Sequence, residues 1–191
     1  MEVKVIDNFL DEIIFNQIVE YIIPQSLKNF TQNDILNWVY SRGVSYSPED
    51  EKRFVNESFQ IDDIDLYNYQ FINIGYNDNM PRSKLFDLSM PILEKARPIS
   101  VVKIKANLQP RADKIVEFPM HVDIQNFKGK TAIFYLNTND GYTLFENGQK
   151  VESIANRYVE FDSTIKHTGT TCTNKQIRCV INLNYYPNNK E

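Results

Sequence analysis

Hydrophobic spacing along the chain changes character near its midpoint. Val3-Lys4-Val5-Ile6 alternates as a short strand does. Behind it, Leu10, Ile14, Ile18 and Tyr21 recur at helical spacing until Pro24, whose missing N–H and ring stop a helix. Thr31-Gln32-Asn33-Asp34 has the form of a capping box ahead of Ile35, Leu36 and Val39. Ser47-Pro48-Glu49-Asp50 is a second helix start, with proline at the first helical position and acids in the first turn. The first third is therefore expected to be mostly helical, with the very polar stretch 43–63 as a loop or lid. Residues 68–76 read as a strand. A helix is predicted over 83–96, with Leu85, Leu88, Ile92 and Leu93 on one side and a kink at Pro91.

From Ile99 the pattern turns to short strands: 101–104, 115–118, 131–137, 142–145, 149–153, 157–161, 165–168 and 176–186. Asn147-Gly148 between two of them is a hairpin signal. Short, regularly spaced strands predict a double-sheet barrel or sandwich. Helices that come first and strands that follow place the helices against one face of it. The expectation is one domain over 1–191, mainly β with flanking helices. Residues 1–98 form the helical support and variable region, and 99–186 the barrel core.

Composition narrows the class. The 191 residues suffice for one buried core, and their apolar and aromatic content is that of a soluble globular domain. No apolar run approaches a membrane span, and the N-terminus lacks a basic segment followed by an apolar one. A cytoplasmic protein without membrane attachment is expected. Its two cysteines, Cys172 and Cys179, read as reduced structural residues. A net charge of −4 argues against a sequence-independent grip on nucleic acid.

Candidate chemistry concentrates on two histidines, both in the strand-rich half. His121 and Asp123 lie two apart, so on a strand both would project to one side while Val122 packs on the other. His167, from a later strand, would complete a face of two imidazoles and one carboxylate. That set suits Fe(II), because it leaves three positions open. The pair alone does not decide between such a face and two ordinary polar histidines. Zinc is less attractive, since there is neither a Cys-x-x-Cys nor a third histidine. No Gly-x-Ser-x-Gly supports nucleophilic catalysis. Further on, Arg178, Val180, Asn182 and Asn184 share one face of a strand, and Cys179, Ile181 and Leu183 the other. An arginine turned into a barrel needs an anion; one turned to solvent does not.

In order and spacing these pieces resemble the 2-oxoglutarate/Fe(II)-dependent oxygenase superfamily, most closely its prolyl-4-hydroxylase-like branch. The resemblance covers roughly residues 99–186. His121-Val122-Asp123 matches the first metal motif. Thr131-Ala132-Ile133-Phe134-Tyr135-Leu136-Asn137 looks like the strand that follows it. Gly141-Tyr142-Thr143-Leu144-Phe145 is similar to the Gly-Gly-x-Thr-x-Phe segment, with Tyr142 in place of the second glycine. Tyr158-Val159-Glu160-Phe161-Asp162-Ser163 and then His167-Thr168-Gly169 match the run into the distal histidine, and Arg178 follows eleven positions later. The opening Val5-Ile6-Asp7-Asn8-Phe9-Leu10 resembles the start of many small members.

The resemblance implies a double-stranded β-helix, or jelly roll, with Fe(II) on His121, Asp123 and His167. It implies 2-oxoglutarate as cosubstrate, its far carboxylate held by Arg178 and Tyr135. Many relatives carry a cosubstrate-contacting tyrosine on the strand before the first motif; here Asn107 or Leu108 stands as the candidate. The implied activity is hydroxylation of a C–H bond with O2, releasing succinate and CO2, with ascorbate as an assay requirement. A prolyl or other peptidyl side chain is the first choice of substrate, and a free amino acid or other small molecule the second. Nucleobase demethylation is disfavoured, because Arg178 lacks the Arg-x-Asn context of that branch and the chain is acidic. A jelly-roll module without catalysis is the reading from a different class. The oligomeric state is not legible.

Overall fold

The computed structural model describes residues 2–24, 36–44 and 66–188. The expected helix starts at Thr31 and Ser47, and most of the 43–63 stretch, lie outside them. Strand β1 (Val3–Ile6) leads into helix α1 (Glu12–Ile22), capped by the Asp11 side chain, which accepts from Ile13 N–H. The buried stripe of α1 is Phe15, Ile18 and Ile22, while Ile14 faces outward. The periodicity is thus as read, rotated by one position toward the bulkier phenylalanine.

Val39, expected on a helix, instead opens strand β2 (Val39–Arg42). Its β-branched and aromatic residues pair with β3 (Tyr69–Asn77), Val39 opposite Ile72 and Tyr40 opposite Phe71. The described part of the first third is therefore less helical than its pattern suggested, because a neighbouring strand outweighs local periodicity. A two-residue strand β4 (Met80–Pro81) folds back on β3. The predicted helix over 83–96 is two: α2 (Leu85–Leu88) and α3 (Met90–Ala96), with Pro91 in the first turn of the second. Ser89 joins them, its hydroxyl donating to the Leu85 carbonyl.

The remaining strands are β5 (Ser100–Pro110), β6 (Lys130–Tyr135), β7 (Tyr142–Phe145), β8 (Lys150–Glu152), β9 (Tyr158–Asp162), β10 (His167–Gly169) and β11 (Ile177–Tyr186). The expected strand 115–118 is reduced to one bridge, Glu117 to Thr170. An eight-stranded antiparallel sheet runs β1-β9-β6-β11-β5-β3-β2, with β4 on the flank of β3. A three-stranded sheet, β10-β7-β8, forms the second wall. This is a mainly β, jelly-roll architecture with helices on one side.

Alternation along the central strands builds two cores from one sheet. Ala132 and Phe134 of β6, and Cys179, Ile181 and Leu183 of β11, join Phe15, Ile18, Leu85 and Ile92 under the helices. Ile133, Tyr135 and Val180 turn the other way and meet Phe145, Val151, Phe161 and Ile165 between the sheets. The chemistry-bearing residues lie in that second space. Cys172 and Cys179 are buried free thiols. No helix among the described residues is long and apolar enough to cross a membrane.

Candidate metal centre

His121 and His167 are brought together by their backbones. They form an isolated antiparallel bridge in which each N–H donates to the other's carbonyl at 3.0 Å. The His-x-Asp pair is therefore not on a regular strand, yet the bridge achieves the convergence that a strand was expected to supply. The ring centroids lie 5.0 Å apart. Asp123 Oδ1 is 3.7 Å from the Nε2 of each histidine, and the donor atoms all lie within 4.8 Å of one another.

Each imidazole is oriented by its other nitrogen. His121 Nδ1 sits 3.2 Å from the Pro119 carbonyl, and His167 Nδ1 3.3 Å from that of Ile165. A carbonyl only accepts, so the proton belongs on Nδ1 and Nε2 keeps its lone pair for an ion. Phe161 packs edge-on against His167 at 4.7 Å. Burial pushes the His167 imidazolium below the ordinary histidine value, against the pull of Asp123, and so favours the ligating neutral form. Burial works to raise the Asp123 carboxyl. Hydrogen bonding to His121 and the charges of His167, His121 and Lys105 outweigh it and hold the group well below the usual carboxylate range. The other Asp123 oxygen accepts from Asn184 Nδ2 at 3.1 Å, and the same amide nitrogen reaches Thr131 Oγ1 at 3.0 Å. Asn184 thus points Oδ1 at the histidines, a role its place on the inner face of β11 could have suggested.

Arg178 lies on the same wall, buried. Its Nε donates to Ser153 Oγ at 2.9 Å and its Nη2 to Thr143 Oγ1 at 3.3 Å, and the guanidinium stands over the Tyr135 ring at 5.7 Å. No carboxylate pairs with it among the described residues. Burial lowers its proton affinity, and the neighbouring Tyr135 works the other way. A Cβ on Gly169 would stand 3.1 Å from Arg178 Nη1, and one on Gly141 only 2.9 Å from Arg178 Cδ. Two glycines therefore make the room this arginine occupies.

Tyr135 does not itself line the cavity. Its hydroxyl shares a 2.6 Å hydrogen bond with Thr143 Oγ1, and it is Thr143 that faces inward beside Arg178. Asn107 does line the cavity, as do Lys105 and Gln109, whereas Leu108 packs into the helix-side core. Gln109 is the register partner of Arg178 and was missed in the sequence. The signal was the polar alternation Lys103, Lys105, Asn107, Gln109 along β5. Buried Asn107 Oδ1, Gln109 Nε2 and Asn182 Oδ1 have no hydrogen-bond partner among the described residues. Orphaned polar atoms around an uncompensated guanidinium describe a binding site rather than a packed core.

The donor set fits a divalent iron. Two imidazole nitrogens and one carboxylate oxygen converge, each is held from behind, and all three residues line a polar cavity.

No protein-family model and no curated protein matches the sequence. Solved structures do match the fold. An oxidoreductase of the 2-oxoglutarate–Fe(II) oxygenase family from Burkholderia pseudomallei superposes with a TM-score of 0.59 at 8% identity, over 98% of this chain and 86% of that one. The epimerase SnoN, solved with Fe3+, α-ketoglutarate and nogalamycin RO, gives 0.57 at 10% identity, over 97% and 78%. A prolyl-4-hydroxylase from Pseudomonas putida gives 0.50 at 12% identity, over 97% and 92%. The fold is that of these 2-oxoglutarate/Fe(II) oxygenase structures, and the His–Asp–His group lies within it.

Proposed function

We propose that the chain is an Fe(II)- and 2-oxoglutarate-dependent dioxygenase that hydroxylates an unactivated C–H bond. One observation carries the reading: His121, Asp123 and His167 converge in the same cavity as a buried arginine that has no carboxylate partner among the described residues. His121 Nε2, His167 Nε2 and Asp123 Oδ1 would hold the iron. Bound there, Fe(II) supplies the redox chemistry that couples O2 and decarboxylation of 2-oxoglutarate, giving succinate and CO2, to oxygen insertion into a C–H bond.

The chain's own residues bind and orient. Arg178 offers its free guanidinium N–H groups to the far carboxylate of 2-oxoglutarate, and its planar fork sets both distance and angle. Thr143 Oγ1 stands beside it as a second polar contact, and Tyr135 fixes that hydroxyl from behind. Gln109, across the strand pair, directs an unpaired Nε2 donor into the same end. Asn184 keeps Asp123 from turning. Apolar side chains such as Ile133 and Val180 line the same cavity and limit water around the cosubstrate.

The substrate is proposed to be a prolyl or other peptidyl side chain, as in the Pseudomonas putida neighbour, or a small molecule, as in the complex of SnoN with nogalamycin RO. A jelly-roll module without catalysis is the competing reading, and the intact donor set speaks against it. The test is succinate release from 2-oxoglutarate with Fe(II), ascorbate and O2, across peptides and amino acids. Succinate that requires iron and vanishes in Asp123→Ala supports the proposal. Succinate retained in that variant, or no succinate and no binding of iron or 2-oxoglutarate, removes it.

A further inference from the structure

The cavity holds a second cation, Lys105, away from the arginine assigned to the far carboxylate of the cosubstrate. On β11, Arg178 and Asn182 are four residues apart on the inner face, about 13 Å at strand rise. Lys105 of β5 is the register partner of Asn182, as Gln109 is of Arg178. One carboxylate cannot serve both cations. Lys105 lines the cavity, and among the described residues it makes no hydrogen bond or ion pair. Lys103, two residues along the same face, adds to the positive field there. Asp123 is the nearby anion that acts on Lys105, but its oxygens are directed to the two histidines and to Asn184. An ion on that triad would draw on the same negative charge and leave Lys105 with less compensation.

Two further atoms define what belongs beside the ammonium. Asn182 is directly opposite Lys105, and Asn107 is two residues along the same strand face. The Oδ1 atoms of both are buried without a donor. A half-buried amine and two buried acceptors, all unpaired among the described residues, are costly, and a ligand that brings an anion and N–H donors relieves all three. Resting on the oxygenase reading above, we infer that the hydroxylated substrate carries a carboxylate, with an N–H beside it, seated on Lys105, Asn107 and Asn182. That is the chemistry of an amino acid, free or as an acidic residue in a peptide, and it disfavours a neutral prolyl segment.

The experiment measures binding by calorimetry to the protein with Mn(II) and 2-oxoglutarate, and again without either. The probes are matched pairs: L-aspartate, L-glutamate, L-leucine and L-proline against their α-carboxamides, and acetyl-Ala-Asp-Ala-amide against acetyl-Ala-Asn-Ala-amide. The free pairs and the peptide pair separate the two sources of the carboxylate. At least one acid is expected to bind about tenfold or more tighter than its amide, the ratio that one charge-assisted hydrogen bond supports. Lys105→Met is expected to erase that ratio, by much more than any change in 2-oxoglutarate affinity, and Lys105→Arg to keep part of it. Lys105→Met should unfold at an equal or higher temperature, since it removes a poorly paired, half-buried charge.

Equal binding of every acid and amide, or no binding of any, overturns the inference. So does a Lys105→Met protein that keeps the preference, or one that loses Mn(II) affinity instead, which would make Lys105 a partner of Asp123 alone. If Mn(II) and 2-oxoglutarate fail to bind, the oxygenase reading falls separately, while the metal-free arm still scores the acid preference.

Discussion

The two faces of the β5–β11 pair belong to the same backbone and obey opposite rules. Toward the helices they present Ile104, Ala106, Cys179, Ile181 and Leu183, all buried and all apolar. Toward the small sheet they present Lys105, Asn107, Gln109, Arg178 and Asn182, with several polar atoms unmatched. The first face lowers the free energy of the fold. The second raises it, and is tolerable because the first, on the same strands, holds it in place. Stability and chemistry are therefore separable here by parity along a strand.

That separation is testable, beginning with the side that should cost most. Phe134 is fully buried and meets Phe9 and Phe15 edge-on. Phe134→Ala should lose about 3–5 kcal/mol in urea unfolding. A loss comparable to that of a surface substitution would show that the helix-side core is not what holds the sheet. On the other face, His167→Ala should leave the fold intact and remove the ligand effect. The wild type should gain about 2.7 kcal/mol at an Fe(II) concentration a hundredfold above its dissociation constant. The variant should gain nothing, and an unchanged gain would place the ion elsewhere.

Smaller effects sharpen the same contrast. Asn184→Ala frees one oxygen of Asp123 and should weaken metal binding by roughly 10–100-fold, as loss of an orienting partner does. Competition against a metal-binding dye reads this directly, and no change would make Asn184 merely structural. Arg178→Lys keeps the charge and gives up the fork, so the apparent 2-oxoglutarate affinity should fall about tenfold. An unaltered affinity would show that the cosubstrate does not meet this guanidinium.

The smallest effect lies at the surface. Asp7 accepts from Arg157 Nε at 2.6 Å and from its Nη2 at 3.0 Å, and this hydrogen bond and charge lower the Asp7 carboxyl. A depressed carboxyl contributes stability above its unfolded value, near pH 4, and loses it as pH falls through the folded value. Asp7 is exposed, so solvent screening limits the pair to about 0.5 kcal/mol. Asp7→Asn should flatten the acid limb of stability by that amount, as pH-dependent urea midpoints would show.

How much of this was legible follows the same division. The strand Ile177–Tyr186 was visible as alternation, only 101–104 was read of the long strand Ser100–Pro110, and the convergence of His121, Asp123 and His167 was visible as a motif order. The rotation of α1 was not legible, because Ile14 and Phe15 are both apolar and only tertiary packing chooses between them. Val39 read as helical because its pairing partner, Ile72, lies far away in sequence. The strand at 115–118 shrank to one bridge, since the chain there turns to deliver His121 alongside His167. The hydroxyl of Tyr135, expected at the cosubstrate, is hydrogen-bonded to Thr143, which also accepts from Arg178. Residue type cannot show which of two stacked polar groups faces the open side. Gln109 was missed for a similar reason, although its alternation with Lys105 and Asn107 was present in the sequence.

The central claim is that one ion is shared by three side chains. Anaerobic calorimetric titration of Fe(II) into wild-type protein and Asp123→Ala tests it most directly. One ion per chain in the wild type, with binding lost in the variant while the fold persists, is the predicted result. Equal stoichiometry and affinity in both proteins would contradict it.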